Sequence, residues 1–339
     1  MHPGRWALVV VMAMGVVSCS DDEPAADPES EQTAESPSPS ESISPSPTEP
    51  TDTTPTETTP TETAPAIPGP ARFDPDAAMR TVRHLAGQIG PREAASPDFR
   101  RAADWVADRL TGWGYDVSRE PVRVPAGVSW GVPVDAGRSW NVIATTTQPQ
   151  LQPGGPYLIV GAHLDTVPQA PGAEDNASGI SVLLELARLA AGTPPRLPVV
   201  FIAFGGEEPR GEGDDDHHFG SQKYVADMSA RQRRSLEAMV SLDRIGVGSV
   251  VPVCIGGLES PTVRGSLLRT AGRMDIPAQP CENQASDHWS FDKAGLPAAR
   301  IGSTPYAEYH SAADLPGVVE PRQLTRVGRL MWEWLDLGP

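Results

Sequence analysis

The stretch that most constrains this chain runs from Gly161 to Gly179, where Gly-Ala-His-Leu-Asp-Thr-Val is followed by Glu-Asp-Asn-Ala-Ser-Gly. The apolar run Tyr157–Val160 before it is short and rich in β-branched residues, the pattern of a buried strand. Residues 180–190 after it repeat apolar side chains at helical spacing. His163 and Asp165 therefore fall at the C-terminal end of a strand, and Asp175 falls just before a helix. In open α/β sheets that rim is where ligands bind. Imidazole beside carboxylate is a donor set suited to Zn²⁺.

A single rim histidine is ordinarily a hydrogen-bonding residue and nothing more. Here the pattern repeats. Phe201–Phe204 leads into Gly-Gly-Glu207-Glu208, Met239-Val-Ser-Leu runs to Asp243, and strand-like Ala298–Ile301 is followed by Tyr309-His310. Four apolar strands each lead to a metal-ligand type, which chance rarely arranges.

The remaining elements alternate. Asp74-Pro75 caps a helix carrying Ala78, Val82, Leu85 and Ile89 on one face, ending near Gly90. Ser96-Pro97 starts another that runs to Gly112. Strands are predicted at 115–124, 141–144, 198–204, 238–243, 250–255 and 298–302, and helices at 178–191, 220–228, 261–273 and 321–336. Such alternation predicts an α/β fold, a three-layer sandwich with a mostly parallel central sheet flanked by helices. Residues 73–339 suffice for one domain with a sizeable core.

At this point the chain resembles the two-zinc exopeptidases that include secreted bacterial leucyl aminopeptidases and, more distantly, glutamate carboxypeptidase and glutaminyl cyclase. The matching segments are His163-Leu-Asp165, Asp175–Gly179, Gly206-Glu-Glu208, Gly220-Ser221, Asp243, Ser286-Asp-His288 and Tyr309-His310. The resemblance implies that Asp175 bridges two zinc ions, that His163 and Asp243 complete one site, and that Glu208 and His310 complete the other. It implies that Asp165 accepts the second ring N–H of His163 and fixes its tautomer. Glu207 would be the general base for a water shared by the metals, and Tyr309 would donate to the developing oxyanion. Ser286-Asp287-His288 would shape the site wall without ligating. The reaction implied is removal of N-terminal residues from peptides. A one-zinc glutaminyl-cyclase-like acyltransferase, a carboxypeptidase and a non-catalytic ectodomain on the same fold are the alternatives.

The chain departs from that family in Pro209–His218, which is longer and more acidic than the usual link. It reads as a solvated loop that could also line the amine pocket or take a cation. Gly127-Val-Ser-Trp-Gly131 matches the nucleophile elbow of serine hydrolases, but an elbow must lead into a helix, and Val132-Pro133 does not begin one.

Composition divides the chain into three. Residues 1–19 read as a lipoprotein signal, with an apolar core too short to span a bilayer comfortably and Val16-Val-Ser-Cys19 as the lipobox. Residues 20–72 form a Pro/Ser/Thr-rich acidic stalk that cannot bury enough apolar surface to fold. Between Asp21 and Glu62 the stalk carries 12 acids and no Lys or Arg, so it supplies most of the formal net charge of −17. The acidity argues against nucleic acid as a partner. Cys254 and Cys281 then remain as an exported pair, either bonded or as two buried thiols. These readings place the protein on the extracytoplasmic face of a membrane through a lipid on Cys19. Mass spectrometry of the mature protein should find an acylated Cys19 as its first residue; an unmodified N-terminus elsewhere, with all protein in the medium, would refute this.

Overall fold

Residues 157–163 form an unbroken buried run because both faces of their strand are covered. The computed structural model describes residues 72–146, 154–258 and 261–338; the expected signal, Cys19 and nearly all of the stalk lie outside the described residues. The strands are β1 (Tyr115–Val124), β2 (Gly127–Ser129), β3 (Val132–Val134), β4 (Gly137–Thr146), β5 (Tyr157–His163), β6 (Val199–Phe204), β7 (Leu236–Asp243), β8 (Val251–Ile255), β9 (Ala278–Glu282) and β10 (Ala298–Gly302). The helices are α1 (Pro75–Val82), α2 (Pro97–Gly112), α3 (Ser178–Gly192), α4 (Phe219–Asp227), α5 (Ala230–Ser235), α6 (Thr262–Arg273), α7 (His288–Lys293) and α8 (Pro321–Leu337).

Eight strands make one sheet in the order β1-β4-β6-β5-β7-β10-β8-β9. The central four, β6-β5-β7-β10, are parallel to one another. Pairing becomes antiparallel on either side, at β6–β4, β4–β1 and β10–β8, and parallel again at β8–β9. Side chains alternate across the sheet as strand pleating requires. Leu158, Val160 and Ala162 pack with α1, α2, α3, α6 and α8, while Tyr157 and Ile159 pack with Val225 of α4 and Phe291 of α7. The three-layer expectation holds, and the parallel character is concentrated at the centre.

Local chemistry sets the helix ends. The Asp74 carboxylate accepts from the backbone N–H of Asp76 and Ala77, and Ser96 Oγ accepts from Phe99 N–H at 3.0 Å, as N-caps do. After Val82 the first helix widens into a π-turn over 83–89. That widening leaves Ile89 only partly buried while Leu85 is fully buried, where a regular helix would have stacked them. Gly302 takes φ +121°, and a Cβ there would lie 1.9 Å from Asp243 O, so glycine permits β10 to end against β7 at the rim.

Several short elements, the six-residue α5 among them, escaped the sequence reading. β9 is polar and proline-containing, as an edge strand tolerates; α7 is a single short helix; and β2 with β3 forms a separate hairpin. The hairpin occupies the candidate nucleophile elbow, which leads into no helix.

Cys254 and Cys281 are bonded, joining paired positions of β8 and β9. The bond pins an edge strand that has little apolar surface of its own. Protein made in an oxidising compartment should show neither thiol on titration under denaturing conditions. The double variant Cys254→Ser/Cys281→Ser should lose up to about 3–4 kcal/mol in chemical denaturation by the chain-entropy argument; two reactive thiols in the parent would contradict the pairing.

Candidate metal centre

The four contiguous parallel strands bring the expected ligands to one rim. His163 ends β5 and Asp243 ends β7. Glu207 and Glu208 lie in the turn after β6, and His310 lies in the loop after β10. Asp175 sits in the turn 173–177 that enters α3. Gly179, in the first turn of α3, lets that helix press against β7, since a Cβ there would meet Leu242 O at 2.3 Å.

The geometry centres on Asp175. Its Oδ1 is 3.1 Å from His163 Nε2 and its Oδ2 is 3.0 Å from His310 Nε2. Asp243 Oδ1 lies 3.7 Å from His163 Nε2, and Glu208 Oε2 lies 3.4 Å from His310 Nε2. All five residues are buried. Two donor groups, His163–Asp175–Asp243 and Asp175–Glu208–His310, each hold their ligand atoms within 4.8 Å of one another and share Asp175. Glu208 Oε1 is buried without a hydrogen-bond partner among the described residues, and Asp243 Oδ1 accepts no hydrogen bond there although it ion-pairs with Arg300 at 3.1 Å. Burial, then the charges of Asp175 and Glu207, pushes the Glu208 carboxyl well above its ordinary range. Buried carboxylates this crowded call for cations. The nitrogen and oxygen donors, three to a site with one shared, fit two zinc ions.

Other groups hold the ligands through the backbone. His163 Nδ1 meets the backbone carbonyl of Asp165 at 3.1 Å, whereas the Asp165 carboxylate is 3.9 Å away. The expected orienting role therefore passes to the main chain. The Asp165 carboxylate instead accepts the N–H groups of Gly206, Glu207 and Glu208 at 2.9–3.1 Å. Asp314 does the same for Asp175: its oxygens accept from the N–H of Glu174 and Asp175 and from the Tyr306 hydroxyl. Fully buried Arg92 donates to the carbonyls of Leu164, Pro171 and Gly172 and so gathers the loop between His163 and Asp175. Asn176, in a sequence that also matches a glycosylation sequon, is fully buried and donates to Leu242 O.

Glu207 does not point away from Glu208, as an extended strand end would have it: in the turn a carboxylate oxygen of each lies within 4.8 Å of the other and of a His163 ring nitrogen, and both side chains line one cleft. Glu207 Oε1 lies 3.1 Å from Nε2 of buried His218. Burial raises the Glu207 carboxyl to about 7, with His163 opposing and Asp243 and Asp175 adding to the rise.

The 209–218 segment is the solvated loop its composition predicts only at its centre, where residues 212–215 are exposed; Arg210 and His218 near its ends are buried. Arg210 is buried, donates to the carbonyls of Pro125 and Asp135 on either side of the β2–β3 hairpin, and pairs with Glu93. Gly211, Glu212, His217 and His218 line a cleft of about 190 Å³ over the ligands. Tyr309 lines the same cleft, its ring stacked on His310 at 3.7 Å and edge-on to Trp130 of the hairpin. Burial raises its hydroxyl above the usual range, which keeps it a hydrogen-bond donor. Ser286-Asp287-His288 is fully buried and lies outside the residues lining the cleft, where Ala285 stands instead; Ser286 Oγ is 3.0 Å from Ser241 Oγ and His288 Nε2 is 2.7 Å from Asn283 O. Sequence reasoning missed His218, Arg92 and Asp314 as parts of the site. A buried-histidine reading of the His217-His218 pair was the one available signal; Arg92 and Asp314 act on backbone atoms that no local pattern reveals.

The sequence profile described as Peptidase family M28 matches residues 141–335. Aminopeptidase YwaD of Bacillus subtilis is 32% identical over 185 residues, covering 51% of this chain and 39% of that protein. Two curated relatives are thus matched over only 53% and 39% of their own length. Among solved structures, the zinc aminopeptidase BSAP from Bacillus subtilis superposes with TM-score 0.68 at 18% identity, covering 78% of this chain and 94% of that one. A glutaminyl cyclase from Porphyromonas gingivalis superposes with TM-score 0.67 at 22% identity, covering 78% and 98%.

The Asp165 clamp generates a direct test. Asn in its place offers one acceptor oxygen and turns an amide toward N–H donors. Asp165→Asn should destabilise the metal-free protein by about 2–4 kcal/mol in chemical denaturation; a change below about 0.5 kcal/mol would show that the three hydrogen bonds contribute little.

Proposed function

The chain belongs to peptidase family M28, and on that premise we propose that it is a two-zinc aminopeptidase removing N-terminal residues from peptides. As a member of that family it is a zinc-dependent metallopeptidase, a hydrolase. The observation that carries the finer reading is Asp175, with one oxygen toward His163 and the other toward His310. A single carboxylate so placed would serve two cations, one that His163 and Asp243 would help hold and another that Glu208 and His310 would. Zinc bound there supplies Lewis acidity, easing ionisation of a water and polarising the scissile carbonyl.

The protein's own residues do the rest. Glu207, held by Asp165 at its backbone and by His218 at Oε1, takes a proton from the attacking water and returns one to the departing amine. Its raised carboxyl suits both directions of transfer. Tyr309, beside His310 at the cleft, is placed to donate a hydrogen bond to the substrate carbonyl oxygen as it gains charge. The backbone bonds from Asp314 and Arg92 keep the donor set in place before substrate arrives, which limits reorganisation during reaction.

A glutaminyl-cyclase-like transferase shares the fold and would need one zinc. The complete second donor pair favours the peptidase, and metal stoichiometry separates the two. A non-catalytic ectodomain would have shed ligands, and all five are present. Hydrolysis of aminoacyl p-nitroanilides against N-blocked counterparts, with and without chelator, tests the preference for a free amine over a carboxypeptidase. We further propose that the protein acts on peptides outside the cytoplasm, held at a membrane by lipid on Cys19.

Glu207→Gln and Asp175→Ala should fail differently. Gln keeps the size and the hydrogen bond but cannot carry the proton, so kcat should fall by about 10²–10⁴-fold with KM changed less, and both zinc ions should remain by atomic emission. Asp175→Ala removes the carboxylate that offsets repulsion between the cations, so at least one zinc and the activity should be lost together. Near-normal turnover of Glu207→Gln with both zincs bound would remove Glu207 from the proton-transfer role.

A further inference from the structure

Three arginines stand close to the ligand carboxylates, and two of them are bound by hydrogen bonds from their guanidinium groups. Arg92 spends its guanidinium on four backbone carbonyls. Arg300, fully buried, donates to Asn283 Oδ1 at 2.7 Å and Ala285 O at 2.6 Å and pairs with Asp243 at 3.1 Å. Arg244 differs. Its guanidinium makes no hydrogen bond among the described residues, although its side chain is only 12% exposed. It lies over the ring of Tyr309 at 4.4 Å and is the one Lys or Arg among the described residues lining the cleft. Its nearest carboxylate oxygen is Asp243 Oδ1, 3.8 Å from Nε, too long for a hydrogen bond.

The main chain explains how it is held. Arg244 has φ +56° and donates its own N–H to Asn176 Oδ1 at 3.3 Å. The turn after β7 thus directs the side chain over the cleft from a fixed point, and the Tyr309 face steadies it through cation–π attraction. The carboxylates around it, Asp175 and Asp243, belong to the donor groups assigned to metal, so their charge is directed elsewhere. What remains is a planar fork of donors, mostly desolvated, facing the space where substrate must lie. Such a fork matches a carboxylate in two-point geometry.

We propose that Arg244 forms a subsite for a carboxylate on the substrate, which makes this cleft selective for peptides bearing an acidic group close to the scissile bond. The inference rests on the aminopeptidase reading for its substrate but not for its binding chemistry. Two sources could supply the group: an acidic N-terminal side chain, or the free C-terminus of a dipeptide.

The test compares paired substrates on the zinc-loaded protein. Glutamyl against glutaminyl p-nitroanilide probes the side-chain source; leucyl-leucine against leucyl-leucinamide probes the C-terminal source. In Arg244→Gln the ratio of kcat/KM, acidic over neutral, should fall by about 10–100-fold in one of the two pairs, mostly through KM, as expected for a lost charge-assisted hydrogen bond. Arg244→Lys, which keeps the charge without the fork, should recover part of that ratio. The pair that responds identifies the source. A parallel titration calorimetry arm measures glutamate against glutamine, and leucyl-leucine against its amide, on parent and Arg244→Gln. Ratios unchanged in both pairs, with no loss of carboxylate binding, would overturn the proposal. Absence of turnover on every substrate would instead refute the aminopeptidase reading, and the calorimetry would still decide for or against Arg244.

Discussion

The site exists because several carboxylates are held together out of water. Asp175, Glu207, Glu208 and Asp243 are all buried around two imidazoles. Left to themselves such groups would take up protons or move apart. Burial opposes a charge on His163, yet Glu207, then Asp175 and Asp243, raise it well above its ordinary pKa. The protein thus maintains a deficit of positive charge at the centre of its rim. Two divalent cations relieve it, and their binding free energy becomes folding free energy for the loops that carry the ligands.

Holding that deficit requires rigid surroundings, and the chain provides them through main-chain hydrogen bonds. Asp165 accepts three consecutive N–H groups around Glu207 and Glu208. Glu174 accepts from Gly246 and Val247, beyond Asp243. Asp314 fixes the turn of Asp175 from the loop that also carries His310. Each acid ties the segment of one ligand to that of another. Mutating such a residue would shift several ligands together, so its effect should not be additive with theirs.

The ligand-bearing elements were legible in the sequence because each is a simple local pattern. An apolar run followed by His or an acid marks a strand end, and β5, β6, β7 and β10 all read that way. The five ligands followed from the resemblance once that periodicity was in place. What was not legible is the material whose folding depends on distant partners. Pro209–His218 is acidic and glycine-rich, so composition makes it a surface loop; yet Arg210 reaches the hairpin and Glu93, and His218 is buried against Glu207. Likewise Asp165 has the residue type and position that suggested orientation of His163. Only the fold reveals that its carboxylate turns to the 206–208 turn while its carbonyl meets the imidazole.

That burial of Arg210 has a consequence for the cleft. The β2–β3 hairpin carries Trp130 over His310 and Tyr309, and the 209–218 loop carries Glu212 and His217 to the same opening. Neither segment has enough apolar surface to fix its own position; Val128 and Trp130 are each 52% exposed. The Arg210 guanidinium, donating to Pro125 O and Asp135 O and paired with Glu93, joins them, and Val128 N–H completes the link at Arg210 O. The aromatic wall and the acidic wall of the cleft are therefore tied to each other through Arg210. A buried cation with paired acceptors is costly to leave half satisfied, so the cleft's shape depends on this one residue although it touches neither metal ligand nor substrate.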